Sequence, residues 1–122
     1  MSKEIGAKQW IIPDGFTPAR SSGSLESHEA ICIVNCSSLR AAVSVTVYFE
    51  DANPIEEITF AVEGQRTKHV RTDTLEKDGA KIPKGIPYAM KVESDVPIVV
   101  QYSRMDATQA ENTLMTTMAY PV

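Results

Sequence analysis

Between Ala42 and Phe49 the chain alternates: Val43, Val45, Val47 and Phe49 are apolar, and Ser44, Thr46 and Tyr48 between them carry hydroxyls. A period of two marks a strand with one face buried, and β-branched and aromatic residues suit a pleated surface. Runs of the same composition recur at 8–12, 28–35, 57–62, 66–71, 88–93, 97–104 and 113–120, so eight strands are predicted. The segments between them hold breakers: Pro13-Asp14-Gly15, Ser21-Ser22-Gly23-Ser24, Asp51-Ala52-Asn53-Pro54, Asp78-Gly79 and Pro83-Lys84-Gly85. The nearest helical candidate, 106–118, contains Thr108, Thr113, Thr116 and Thr117, all poor helix formers, and reads as a turn followed by a strand. Short strands without helical crossovers predict an all-β fold, an antiparallel β-sandwich or jelly roll. Two connections are long, Pro13 to Ser27 and Thr72 to Pro87, and loops of that length tend to bind or to contact subunits.

A length of 122 residues with 43% apolar side chains suits a single domain spanning 1–122. Met1-Ser2-Lys3-Glu4 leads into ordinary sequence with no apolar leader, so a cytoplasmic protein is expected. The densest apolar stretch, Val96-Pro97-Ile98-Val99-Val100, is far shorter than the roughly 20 residues of a membrane-spanning helix. Cys32 and Cys36 lie too far apart on one strand for a disulfide and are expected to be free thiols. No other Cys or His stands at zinc spacing, so no metal is expected. A net charge of -4 and a pI near 5.1 oppose bulk attraction to nucleic acid, and such binding is expected to be weak or absent. The local exception is the basic run around Arg66, Lys68, His69 and Arg71.

Ser27-His28-Glu29 has the residue types of a hydrolase triad, but neighbours on an extended chain point to opposite faces and cannot relay a proton. The nucleophile elbow, the phosphate-cradling loop and the dinucleotide fingerprint are missing, so neither catalysis nor a cofactor is expected. Two other clusters leave a choice. Arg66 to Arg71 fits an edge strand guarded by charge, or a site whose guanidinium forks grip an anion or a polyhydroxyl. Gln101, Arg104, Asp106, Gln109, Glu111 and Asn112, taken with Trp10, fit a structural network beside a core tryptophan, or the aromatic platform and two-way hydrogen-bonders that sugars favour.

Trp10-Ile11-Ile12-Pro13, Ser27-His28-Glu29, Arg66 through Arg71, Val96 through Gln101, Arg104-Met105-Asp106 and Gln109-Ala110-Glu111-Asn112 together resemble the sensory rhodopsin transducer family. The resemblance runs from about residue 5 to residue 120. It implies a small β-sandwich that forms a homotetramer; the founding type is a soluble cytoplasmic partner of a microbial sensory rhodopsin. Other relatives are viewed as small-molecule, sugar-related binding domains, and DNA binding has been suggested. The expectation is therefore a non-enzymatic homotetrameric module that binds a small sugar-like ligand and signals to a partner. Its site is expected to comprise Trp10, His28, Glu29, Arg66, His69, Arg71, Gln101, Arg104 and Asp106. The alternatives are a module docking on the cytoplasmic face of a membrane photoreceptor or other sensor, and a weak DNA-binding regulator.

Overall fold

The computed structural model describes residues 4–20, 25–109 and 111–122, so the expected turn at Ser21-Ser22-Gly23-Ser24, the first three residues and Ala110 lie outside the described residues. In chain order the strands are β1 (Ala7–Gly15), β2 (His28–Asn35), β3 (Ala41–Phe49), β4 (Ile55–Val62) and β5 (Arg66–Arg71). A 3-10 turn follows at Thr72–Thr74, then β6 (Glu76–Lys77), β7 (Ala80–Lys81), β8 (Tyr88–Asp106), β9 (Thr113–Met118) and β10 (Tyr120–Pro121). All pairings are antiparallel. Among the described residues there is no α-helix, and no helix long and apolar enough to cross a membrane.

The two strands expected at 88–93 and 97–104 are one strand of 19 residues. Its first part pairs with β1 and β3, Trp10 opposite Val92 and Val45 opposite Val92. Its last part pairs with β2 and β9, Ile31 opposite Tyr102 and Tyr102 opposite Thr117. β8 thus belongs to both sheets of a sandwich: β10-β1-β8-β3-β4 in one layer and β5-β2-β8-β9 in the other. The crossing falls near Pro97, where the ladders to β3 and β2 stop at Ser94 and resume at Val99. A proline has no N–H to give a ladder and sits well at such a break.

The inward rows are those the alternation predicts. Val43, Val45 and Val47 of β3 pack with Met90 and Val92 of β8 and with Ile31 and Ile33 of β2, all buried. Trp10 is part of this core at 5% exposure, and its indole N–H is shared by the carbonyls of Ala7 and Ile98, both at 3.0 Å. It fastens β1 to the crossover of β8. Both long connections are shorter than the sequence suggested, because β1 continues through Gly15 and 72–87 contains the 3-10 turn and the β6–β7 hairpin. Asp78 and Gly79, with φ of 52° and 85°, form the two-residue turn of that hairpin, a conformation that favours Asp-Gly.

Candidate functional site

The side chains of β2 alternate, so Glu29 falls on the inner row with Ile31 and Ile33. At 1% exposure it is a carboxylate placed in the core. Such a group is tolerable only if nearly every lone pair is matched. Here Phe16 N–H donates to both oxygens, at 3.1 and 3.0 Å, Tyr88 OH donates to Oε1, and Arg104 Nε donates to Oε2 at 2.7 Å. Arg104 arrives by register, since it stands directly opposite Glu29 in the β2–β8 ladder. Tyr102, two residues earlier on the same face, accepts from Arg104 Nη2 at 3.2 Å and lies under the guanidinium, 5.9 Å from its carbon to the ring centre.

Tyr88 comes from the other end of the same strand. Its ring crosses Gly15, where a Cβ would lie 2.5 Å from Cζ of the ring, so only glycine leaves the phenol room to reach Glu29. A hydrogen bond of 3.0 Å joins the Tyr88 hydroxyl to Thr72 Oγ1. The phenol has one proton and spends it on Glu29, so the threonine is the donor there. Phe16 lies in the first long connection and Thr72 in the second, so both are anchored on one carboxylate.

Burial, and then the hydrogen bond to Glu29, push the pKa of Tyr88 well above that of an ordinary tyrosine. The same two causes act on Tyr102. Burial alone would lower the pKa of Arg104, but its hydrogen bonds to Tyr102 and Glu29 outweigh that and raise it, so the guanidinium keeps its charge. No buried side-chain polar atom among the described residues lacks a hydrogen-bond partner.

This cluster lies at an edge of the sandwich that β9 and β10 leave open as the chain passes from one sheet to the other at Ala119. A cleft of about 200 Å³ lies there, lined by Ile12, Pro13, Tyr102, Arg104, Met115 and Ala119 among others. Four larger depressions, about 540, 500, 380 and 330 Å³, lie beside Cys36–Leu39, beside Phe49 and Ile86, beside Arg40 and Asp95, and beside Tyr48 and Tyr88. Tyr88 lines the last of these, and the other four side chains of the buried cluster line none of them.

Of the nine expected site residues the structure joins two, Glu29 and Arg104. Trp10 belongs to the core, its N–H already used by backbone carbonyls. His28 faces the other side of β2, with Nδ1 at 3.1 Å from the Glu26 carbonyl. His69 and Gln101 both register with Cys32 on the outer face of the second sheet. Arg66 donates to the Gln65 carbonyl and Arg71 pairs with Asp73 at 2.6 Å, both on the edge strand β5. Asp106 accepts from the hydroxyl and N–H of Thr108, which hold its carboxyl below the usual range. Ser27 is buried and accepts from Ala107 N–H at 2.8 Å. Tyr88, Tyr102, Thr72 and the Phe16 N–H complete the cluster and were not expected. Cys32 and Cys36 are free thiols, and no group of three metal-ligating side chains occurs among the described residues.

Two antiparallel sheets sharing one long strand, with the buried Glu29–Arg104 ion pair at one open edge, define an all-β sandwich domain with a charged cluster at its mouth. The chain belongs to the Anabaena sensory rhodopsin transducer family, whose model matches residues 5–121. A crystal structure from Thermotoga maritima, protein 1070, is 38% identical over 97% of each chain, with a TM-score of 0.86. The Anabaena sensory rhodopsin transducer is 39% identical over 88% of this chain and 96% of its own, with a TM-score of 0.76. No curated protein matches the chain. The family is one of sensory and interaction modules.

Proposed function

We propose that this protein is a non-enzymatic cytoplasmic sensory module: a small molecule enters the cleft beside Arg104, and occupancy is passed to a partner protein. The observation that carries the reading is the placement of Arg104, held by Glu29 and Tyr102 yet still lining an open cleft. A hydrophobic core does not need this cluster, since buried ion pairs seldom stabilise a fold more than apolar packing would. The anchoring of Phe16 and Thr72 on Glu29 gives occupancy a route to two surface connections. A sugar-like ligand, the expectation from the family resemblance, is one class to test. The partner is a membrane sensor, as the name of the Anabaena relative suggests. Docking on such a sensor without any ligand is the second reading.

A thermal screen tests the site. A ligand that binds only the native state, at a hundredfold excess over its dissociation constant, adds about 2.7 kcal/mol. That raises the melting temperature of a domain this size by roughly 10 °C. Sugars, sugar acids, sugar phosphates and small neutral compounds are to be compared on the wild type and on Arg104→Ala, with the shift expected in the wild type alone. A shift that survives Arg104→Ala refutes the site, and no shift with any compound leaves docking as the function.

We also propose a homotetramer. The outer face of β2, β8 and β9 exposes Val34, Leu114 at 75% and Met118 at 56%, and an apolar sheet face of this kind calls for cover. Light scattering at micromolar concentration should report four copies; a 13.4 kDa monomer throughout would refute it. The basic strand β5 supports no more than weak, salt-sensitive contact with nucleic acid, because Arg71 is neutralised by Asp73 and Lys68 lies over Phe60.

A further inference from the structure

The chemistry of the cleft narrows what enters it, on the reading that Arg104 marks a ligand site. Its walls are mainly apolar: Ile12, Pro13, Met115 and Ala119, with Thr117 beside them. Met115 is half exposed on the inner row of β9, opposite Arg104, and its flexible thioether suits a wall that adapts to its guest. The polar groups at the inner end are already committed. Glu29 is saturated by Phe16 N–H, Tyr88 and Arg104, and Tyr102 accepts from Arg104 while its own hydroxyl hydrogen is drawn to Glu29. What remains is on Arg104: Nε and Nη2 are bonded, and Nη1 carries no protein hydrogen bond among the described residues.

Charge decides the rest. Glu29 cancels Arg104 at 2.7 Å, so the inner end of the cleft is a donor without net charge. Asp14 stands at the rim, exposed and without an ion pair among the described residues, and so repels an anion. A cation would have to approach the guanidinium. A polyhydroxyl would lose water from every hydroxyl and regain bonds for few of them, which is costly against apolar walls. The volume, about 200 Å³, is room for about six or seven water molecules and less than a drug-sized pocket.

We infer that the cleft between β1 and β9 binds a small, uncharged, mainly apolar molecule with a single hydrogen-bond acceptor, such as a cyclic ketone or lactone, and that Arg104 Nη1 donates to it. Walls of Ile12, Pro13 and Met115 select the body of the ligand, and the neutralised guanidinium selects the acceptor.

The test uses the isotope-labelled full chain in its native assembly, titrated separately with cyclohexanone, cyclohexanecarboxylate, cyclohexylammonium and glucose. Nuclear magnetic resonance follows the Arg104 Nε–H and the Met115 methyl. Cyclohexanone should move both signals, and the charged analogues should bind at least about tenfold more weakly because their charge must be desolvated. Thr117→Phe places a ring in the cleft from an exposed strand position and should weaken cyclohexanone about tenfold or more, since the ligand and the ring compete for the same walls. The urea midpoint of that variant should stay near the wild type's, which shows the cluster intact. Equal or tighter binding of the carboxylate or glucose, with the Arg104 signal moving, overturns the ligand class and leaves the site standing. If no compound moves Arg104, or if Thr117→Phe binds as well as the wild type, the site itself falls. Contacts from a second copy filling the cleft in the native assembly would also overturn the proposal.

Discussion

Glu29→Ala should destabilise the protein by about 3–5 kcal/mol, the usual cost of removing one member of a buried ion pair. The substitution strands Arg104, Tyr88 and the Phe16 N–H together, because all three donate to this one carboxylate. It also leaves a void where a fully buried side chain was. Glu29→Gln keeps the volume and one acceptor oxygen but points an amide at groups that are themselves donors, and should cost about 1–3 kcal/mol. Arg104→Ala should fall below Glu29→Ala, since the arginine side chain is 20% exposed and water can hydrate part of what it leaves. Urea midpoints with an unchanged slope are the measurement. A loss under about 1 kcal/mol for Glu29→Ala, the range of ordinary surface changes, would mean that the cluster does not hold the fold.

The cluster also explains why two stretches that look like free loops are constrained. Phe16 begins the chain that leaves β1, and Thr72 begins the 3-10 turn that leaves β5. Both meet at Glu29, one directly and one through Tyr88. Any guest that shifts Arg104 must change the geometry at Glu29, and so acts on both connections. The coupling needs only hydrogen bonds already present.

Strand positions were legible because alternation is local. Val43, Val45 and Val47 announce their face from sequence spacing, and so do Ile31 and Ile33. The same spacing carried an unused signal: Glu29 shares the parity of Ile31 and Ile33, which puts a carboxylate in the core, and Arg104 shares the parity of Tyr102 and Val100. Two charges of opposite sign on inward rows predict an ion pair if their strands are adjacent. Adjacency was the missing piece, since Arg104 meets Glu29 and Gln101 meets Cys32 only because β8 continues past Pro97 into the second sheet, while His69 meets Cys32 from β5 on the other side. Gln101 and His69 therefore fell on the face opposite Arg104. Trp10 could not be placed from composition, because a core tryptophan and a sugar platform read alike until the partners of the indole N–H, Ala7 and Ile98, are known.

Stability should hold to about pH 10 and then fall steeply, with the tyrosines as its cause rather than the carboxylates. Tyr88 and Tyr102 have folded pKa values above the ordinary 10.0, pushed up by burial and then by Glu29. A group whose folded pKa is raised contributes stability that is complete below its unfolded pKa and is lost as pH rises through the folded one. The window therefore opens near pH 10, where the unfolded chain begins to release phenolic protons that the folded chain still holds. Each tyrosine can remove at most about 1.4 kcal/mol per pH unit above that point, so the pair can remove at most about 5 kcal/mol by pH 12. That equals the whole stability of a domain at the low end of the usual range, about 5–15 kcal/mol. Urea midpoints taken from about pH 8 to pH 12 should trace this fall, and tyrosinate absorbance should show the two phenols ionising only as the chain unfolds. Tyr88→Phe separates the contributions: it lowers stability at neutral pH by leaving Glu29 one donor short, yet it should halve the alkaline slope. A slope unchanged by Tyr88→Phe would place the alkaline transition elsewhere and remove Tyr88 as the proton held by the fold.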